Sequence, residues 1–275
     1  MKKICLAFLV LNLAVWVKSQ SHLTTEDFEL AKAIDFKALQ SQYLAENKSI
    51  TLAPSGRVGD DLDTHPKAVW AIWPGGLIPY TIEPGFSAND RAGIANAIAY
   101  LESNTCLRFK PHGGGSTNPK MTFAPVNQNG YCFTQWSTDG KTNTWAKVSL
   151  SPNSACTFGR TILHEIVHGL AGFHTHKRFD RDAHVQVVYE NVLPDKKSEF
   201  DICKGGCCCQ TWGYPYDCDS IMHYAKNQMS INGKDTLVSN SASCKLLDFS
   251  SWQVYNPYMS PFDIEFIQEQ YGQFC

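Results

Sequence analysis

The feature that most constrains this chain is His164-Glu165-Ile166-Val167-His168, set inside an apolar stretch whose periodicity predicts a helix over Phe158 to Leu170. Histidines four residues apart lie one turn apart on one face of a helix, so both rings can reach the same point. His174 follows six residues after His168, just past Gly172, which can turn the chain back toward that point. Three neutral imidazoles suit zinc, which takes about four ligands in a tetrahedron, and the fourth position stays open. Glu165 stands beside the first imidazole, where its carboxylate can take a proton from a water at that open position.

Further along, Ser220-Ile221-Met222-His223-Tyr224 supplies a methionine in a loop, then a tyrosine. With the three histidines this reads as an apolar floor beneath a metal, with a phenol beside it. The long motif HEIVHGLAGFHTHKRFDRD (164–182) and SIMHY (220–224) resemble the astacin family of metzincin peptidases. So do WPGGLIPY (73–80), TCLRF (105–109) and Val148-Ser149-Leu150, and the likeness runs from about Trp70 to Cys275.

The resemblance implies an α+β catalytic domain: a twisted mixed sheet with two main helices, an irregular C-terminal subdomain, and a zinc cleft between them. It implies a secreted zinc-dependent endopeptidase holding one catalytic Zn2+ on His164, His168 and His174, with Glu165 as general base and Met222 beneath the site. Tyr224 becomes a residue that ligates zinc at rest and stabilises the oxyanion during turnover. Val148, Ser149 and Leu150 become the edge strand that pairs with extended protein or peptide substrates. Disulfides Cys106–Cys275 and Cys132–Cys156 follow from the same likeness.

Three positions depart from the family pattern. Ala171 stands where the motif has glycine three residues before the last histidine, and the adjacent Gly172 is expected to take over the turn. Thr175 replaces the glutamate that meets the new N-terminal amine after activation. The family's Phe-x-Gly-Asp zinc cap has only Arg57-Val58-Gly59-Asp60 as a counterpart, which leaves Asp60 either a cap on the zymogen metal or an exposed acid of a linker.

Lys2 and Lys3, the apolar run Ile4 to Val17, and small residues at Val17 and Ser19 read as a signal peptide over 1–19. Residues 20–63 are polar, helix-prone from Glu26 to Leu44, and read as a prosegment or a disordered extension, with Arg57 a possible processing site. Asn47-Lys48-Ser49 is a glycosylation sequon. The catalytic domain is expected over 64–275, with strands at Leu77–Ile82, Met121–Val126 and Trp145–Leu150. Helices are expected after Ser87 and over Pro261–Gln270; the chain stops soon after the last, at Cys275, which predicts a stand-alone soluble monomer without membrane anchor. Of eleven cysteines, ten survive loss of the signal, and an oxidising compartment favours disulfides. Cys203, Cys207, Cys208, Cys209, Cys218 and Cys244 form either local disulfides or a thiolate metal site. A net charge of -2 without a basic stripe argues against nucleic acid as a partner.

Overall fold

The computed structural model describes residues 21–36, 38–39, 42, 51–52, 56–57, 73–113, 119–127, 131–138, 143–170, 172–203, 213–253 and 258–274. The proposed signal peptide, Asn47, Asp60, Ala171, Cys207 to Cys209 and Cys275 lie outside them.

Among the described residues the first element is a helix, α1 (Thr25–Ala33), started by a capping box in which Thr24 and Asp27 bond reciprocally to each other's backbone. Two short strands follow, β1 (Thr51–Leu52) and β2 (Gly56–Arg57). The main sheet continues with β3 (Leu77–Ile82), β4 (Arg108–Pro111), β5 (Met121–Pro125), β6 (Tyr131–Thr138) and β7 (Asn143–Leu150). Its order is β1-β6-β7-β5-β3-β4, with β2 also on β6, seven strands in all. The pairs β3–β4, β3–β5 and β5–β7 are parallel and β6–β7 is antiparallel. This is the mixed sheet of the expected α+β fold.

Two helices pack with the sheet. Helix α2 (Ala88–Asn104) begins at a Ser87–Asp90 capping box and buries Ile94, Ile98 and Leu101. Helix α3 (Gly159–Gly169) is buried at every position. The two approach closely at Gly93, where an added Cβ would lie 2.0 Å from the Thr157 carbonyl oxygen. Beyond α3 the chain is irregular, with one small antiparallel pair, β8 (Val185–Val187) and β9 (Leu237–Ser239), a short α4 (Phe249–Gln253) and a last helix, α5 (Pro261–Tyr271). A large hydrophobic cluster fills the sheet and α1–α3, and a second one gathers Val185, Val192, Phe200, Tyr224, Met229 and Leu237. Among the described residues no helix is long and apolar enough to cross a membrane.

One expectation is corrected. Val148, Ser149 and Leu150 are not an edge strand. They pair with Phe123, Ala124 and Pro125 of β5 on one side and with Thr134, Phe133 and Cys132 of β6 on the other, so their backbone groups are already used. All three are buried, as an interior strand must be. Beyond β7 on this side lies β6, and the chain's own β1 and β2 run parallel along the far side of β6.

Cys132 and Cys156 form a disulfide, as do Cys218 and Cys244. Cys106 and Cys203 are also disulfide-bonded; Cys275 lies outside the described residues, so its pairing with Cys106 stays an expectation.

Candidate metal centre

Helix α3 delivers the His164 and His168 imidazoles from one face and carries the Glu165 carboxylate next to them in sequence. Its C-terminal end closes with the Leu170 amide bonded to the Ile166 and Val167 carbonyls, and the Gly172 amide follows onto Val167. Gly172 is needed here for space: a Cβ would lie 2.6 Å from Val167 Cγ1 and 2.8 Å from the Val167 oxygen. The turn then brings His174 back against the helix. His164 Nε2 lies 3.1 Å from His168 Nε2 and 3.3 Å from His174 Nε2. Donors bound tetrahedrally to zinc at about 2.0–2.1 Å are separated by about 3.3 Å, so the spacing fits one ion. All three nitrogens lie within 4.8 Å of one another, and this is a group able to hold a metal.

The other ring nitrogens fix the tautomers. His164 Nδ1 donates to the Ile221 carbonyl at 2.7 Å and His168 Nδ1 to the Gly172 carbonyl at 2.8 Å. With a carbonyl as acceptor Nδ1 must carry the proton, which leaves the Nε2 lone pairs for a metal. Burial pushes His164 and His174 well below the usual histidine range, and His168 down to about 4. The imidazoles are therefore in the neutral form that binds metals.

Glu165 is fully buried, and its Oε2 accepts a hydrogen bond from Thr134 Oγ1 at 2.9 Å. The same hydroxyl reaches the Glu165 main-chain oxygen at 2.8 Å. Thr134 sits on β6, so the strand along which β1 and β2 run also holds the carboxylate. Sequence reading missed it: a threonine 31 residues upstream carries no local signal, and only its place opposite Val148 brings it to α3.

The segment 220–224 closes the site, with Ile221 and Met222 in the large hydrophobic cluster and Tyr224 in the second. Met222 is buried, and its carbonyl accepts from the Thr175 amide at 2.9 Å. The Tyr224 ring lies 4.7 Å from that of His174 and stacks on His176 at 3.8 Å. The Tyr224 hydroxyl is buried without a hydrogen-bond partner among the described residues, an arrangement that suits a group directed at a metal ion. Burial drives its pKa well above that of an exposed phenol. His176 bonds the Glu199 carbonyl, and His223 bonds the Tyr216 hydroxyl and the Tyr224 carbonyl. His184, which had no role in the sequence reading, stacks flat on Tyr216 at 4.4 Å.

Thr175, the second departure, has a structural account. Its hydroxyl donates to Ser220 Oγ at 3.1 Å, which donates to Asp263 Oδ1 at 2.7 Å, while Asp263 Oδ2 accepts from the Ile221 amide at 2.8 Å. Asp263 is also the capping-box acid of α5. The last helix thus grips the loop whose Ile221 carbonyl orients His164. Arg160, buried one turn before His164, donates to the Asp219 carbonyl and lies 5.0 Å over the Trp252 ring.

A third imidazole delivered by a turn rather than by the helix that carries the first two marks the metzincin class of metallopeptidases. The sequence model of the astacin peptidase family matches residues 65–272. The chain belongs to that family.

Its relatives include Zinc metalloproteinase nas-6 of Caenorhabditis elegans, 32% identical over 166 residues, covering 60% of this chain and 45% of the relative. Zinc metalloproteinase nas-7 of the same organism is 28% identical over 236 residues, covering 83% and 57%. Tolloid-like protein 1 of Mus musculus is 33% identical over 159 residues, 58% of this chain but 15% of that protein. The chain thus spans about half the length of the two nematode relatives. Among solved structures, High choriolytic enzyme 1, a hatching enzyme zinc-protease from Oryzias latipes, superposes with a TM-score of 0.60 at 24% identity, covering 74% of this chain and 94% of that one. That likeness is one of fold.

Proposed function

We propose that the chain is a zinc-dependent endopeptidase that hydrolyses peptide bonds in proteins, with His164, His168 and His174 holding one zinc ion and Glu165 acting as general base. The observation that carries this reading is the tetrahedral spacing of the imidazole nitrogens directly beside a buried carboxylate. When bound, zinc polarises the scissile carbonyl and lowers the pKa of a coordinated water toward about 7.

The chain's own groups do the rest. Glu165 accepts the proton of the attacking water and passes it to the departing amine. Thr134 holds one carboxylate oxygen and so fixes the group that takes the proton. The Tyr224 hydroxyl donates to the oxyanion as negative charge develops there. Strand β6 takes over the substrate-pairing role first expected of Val148 to Leu150, because extended peptides add to open sheet edges.

Residues 1–19 act as a signal peptide that directs secretion and residues 20–63 as a prosegment. The placement of β1 and β2 along β6 supports the second point: in the uncut chain, the edge a substrate would use is taken by the chain itself. If Asp60 caps the metal in that state, Asp60→Ala raises the basal activity of unprocessed protein; unchanged latency excludes it. The whole reading is tested by cleavage of a denatured protein substrate with processed protein, with and without a chelator. Hydrolysis that survives complete metal removal refutes it.

A further inference from the structure

Residues 21–36 lie outside the 65–272 that match the family, yet they complete the interior of the domain. Leu23, Ala31 and Phe36 are buried in the large hydrophobic cluster, and the Phe36 ring lies 5.6 Å from Phe158, at the start of the metal helix. The Ile82 amide at the end of β3 donates to the Ser21 carbonyl at 2.7 Å. At the centre Arg91 of α2 meets Asp27 of α1 through Nη2 at 2.8 Å and Nε at 3.1 Å, both side chains 2% exposed, and Arg91 also donates to the His22 carbonyl. The only described charge pair within α1, Lys32 with Glu29, faces solvent.

The segment therefore carries what a separate ligand needs: its own helix cap, apolar anchors and one charge that matches a buried cation. Among the described residues, none of its hydrogen bonds reaches His164, Glu165, His168, His174 or Tyr224, so it is not a plug of the metal site. We propose that the face of α2 around Arg91, bordered by Tyr80 and Phe158, is a docking surface for residues 21–36, which stay bound to the domain as a noncovalent second chain once the connection between them is cut. Leaving would strip a buried guanidinium of its carboxylate and bare Leu23 and Phe36 to water, and such losses appear mainly as slow dissociation. The inference goes beyond the protease reading and needs neither the metal nor Glu165.

The test uses the full chain with a site-specific protease sequence inserted between Gly59 and Asp60, cut after folding and then diluted and run on a sizing column. Both pieces are expected to travel together, one to one, and to separate in denaturant. Asp27→Ala in the same chain is expected to release the short piece about tenfold faster or more, while Lys32→Ala behaves as the parent. Phe36→Ala gives a second reading should Asp27→Ala fold poorly. Separation of the parent pieces on cutting, or release unchanged in both Asp27→Ala and Phe36→Ala, overturns the proposal. Zinc content measured on the same samples reports separately on the metal site of the protease reading.

Discussion

Glu165 and Thr134 show how a catalytic group depends on a neighbour that its own sequence context does not reveal. Glu165→Gln keeps the shape and the three imidazoles but removes the base, so zinc content should be unchanged while kcat falls by about 10²–10⁴-fold. Substantial residual hydrolysis would contradict the role. Thr134→Val removes the hydroxyl that holds the carboxylate, at nearly constant volume. A hydrogen bond to a charged group is worth about 1.5–3 kcal/mol, so kcat should drop by about 10- to 100-fold with KM little changed, and Thr134→Ser should restore most of it. Equal activity of the valine and serine variants would show that the contact is incidental. The spacing of His164, Glu165, His168 and His174 is a local signal, and Met222 and Tyr224 stand out by the likeness of residues 220–224 to the family's loop; the structure brings the three imidazoles together. Thr134 and Asp263 were not legible in the sequence, since each arrives from an element remote in sequence.

At the scale of elements, α3 and the turn after it place the ligands. Gly172→Ala would push a Cβ into Val167 and displace both the carbonyl that orients His168 and the approach to His174. Overpacking of this kind typically costs about 1–3 kcal/mol. A lower melting temperature together with weaker zinc retention against a chelator is the expected outcome, and retention equal to the parent would argue that the turn adapts freely. Helices α3 and α5 and strand β3 stood out in the sequence because helical periodicity, capping residues and apolar runs are local signals. The place of β7 in the sheet did not, because edge or interior position depends on which strands lie alongside. Strand β6 itself, rich in aromatic residues and threonine, carried a β-propensity signal that the strand assignment passed over. The polar character of residues 20–63 likewise hid three buried anchors, since Leu23, Ala31 and Phe36 find their core on another element.

Across the whole molecule, two hydrophobic clusters meet at the metal centre, with His164 and His168 on a helix of the first and Tyr224 in the second. Burial there depresses five imidazoles: His164, His168, His174, His176 and His223. Above their ordinary value of 6.5 they are neutral in both folded and unfolded chains and contribute nothing to pH dependence. Below it the unfolded chain takes up protons that the folded one refuses, until His168 and His223 charge at about 4. The metal-free protein should therefore lose stability steadily as pH falls from about 6.5 toward 4, and zinc, which binds the neutral rings, should raise the melting temperature less at pH ~5 than at pH ~7.5. Thermal unfolding with and without zinc checks this; a melting temperature of the metal-free form that does not change across that range would contradict it.

X-ray absorption at the zinc edge of the processed protein tests the central claim most directly. The account predicts one zinc per chain with three imidazole nitrogens at about 2.0–2.1 Å and oxygen completing the shell, whereas sulfur at about 2.3 Å would place the metal among the cysteines instead and contradict it.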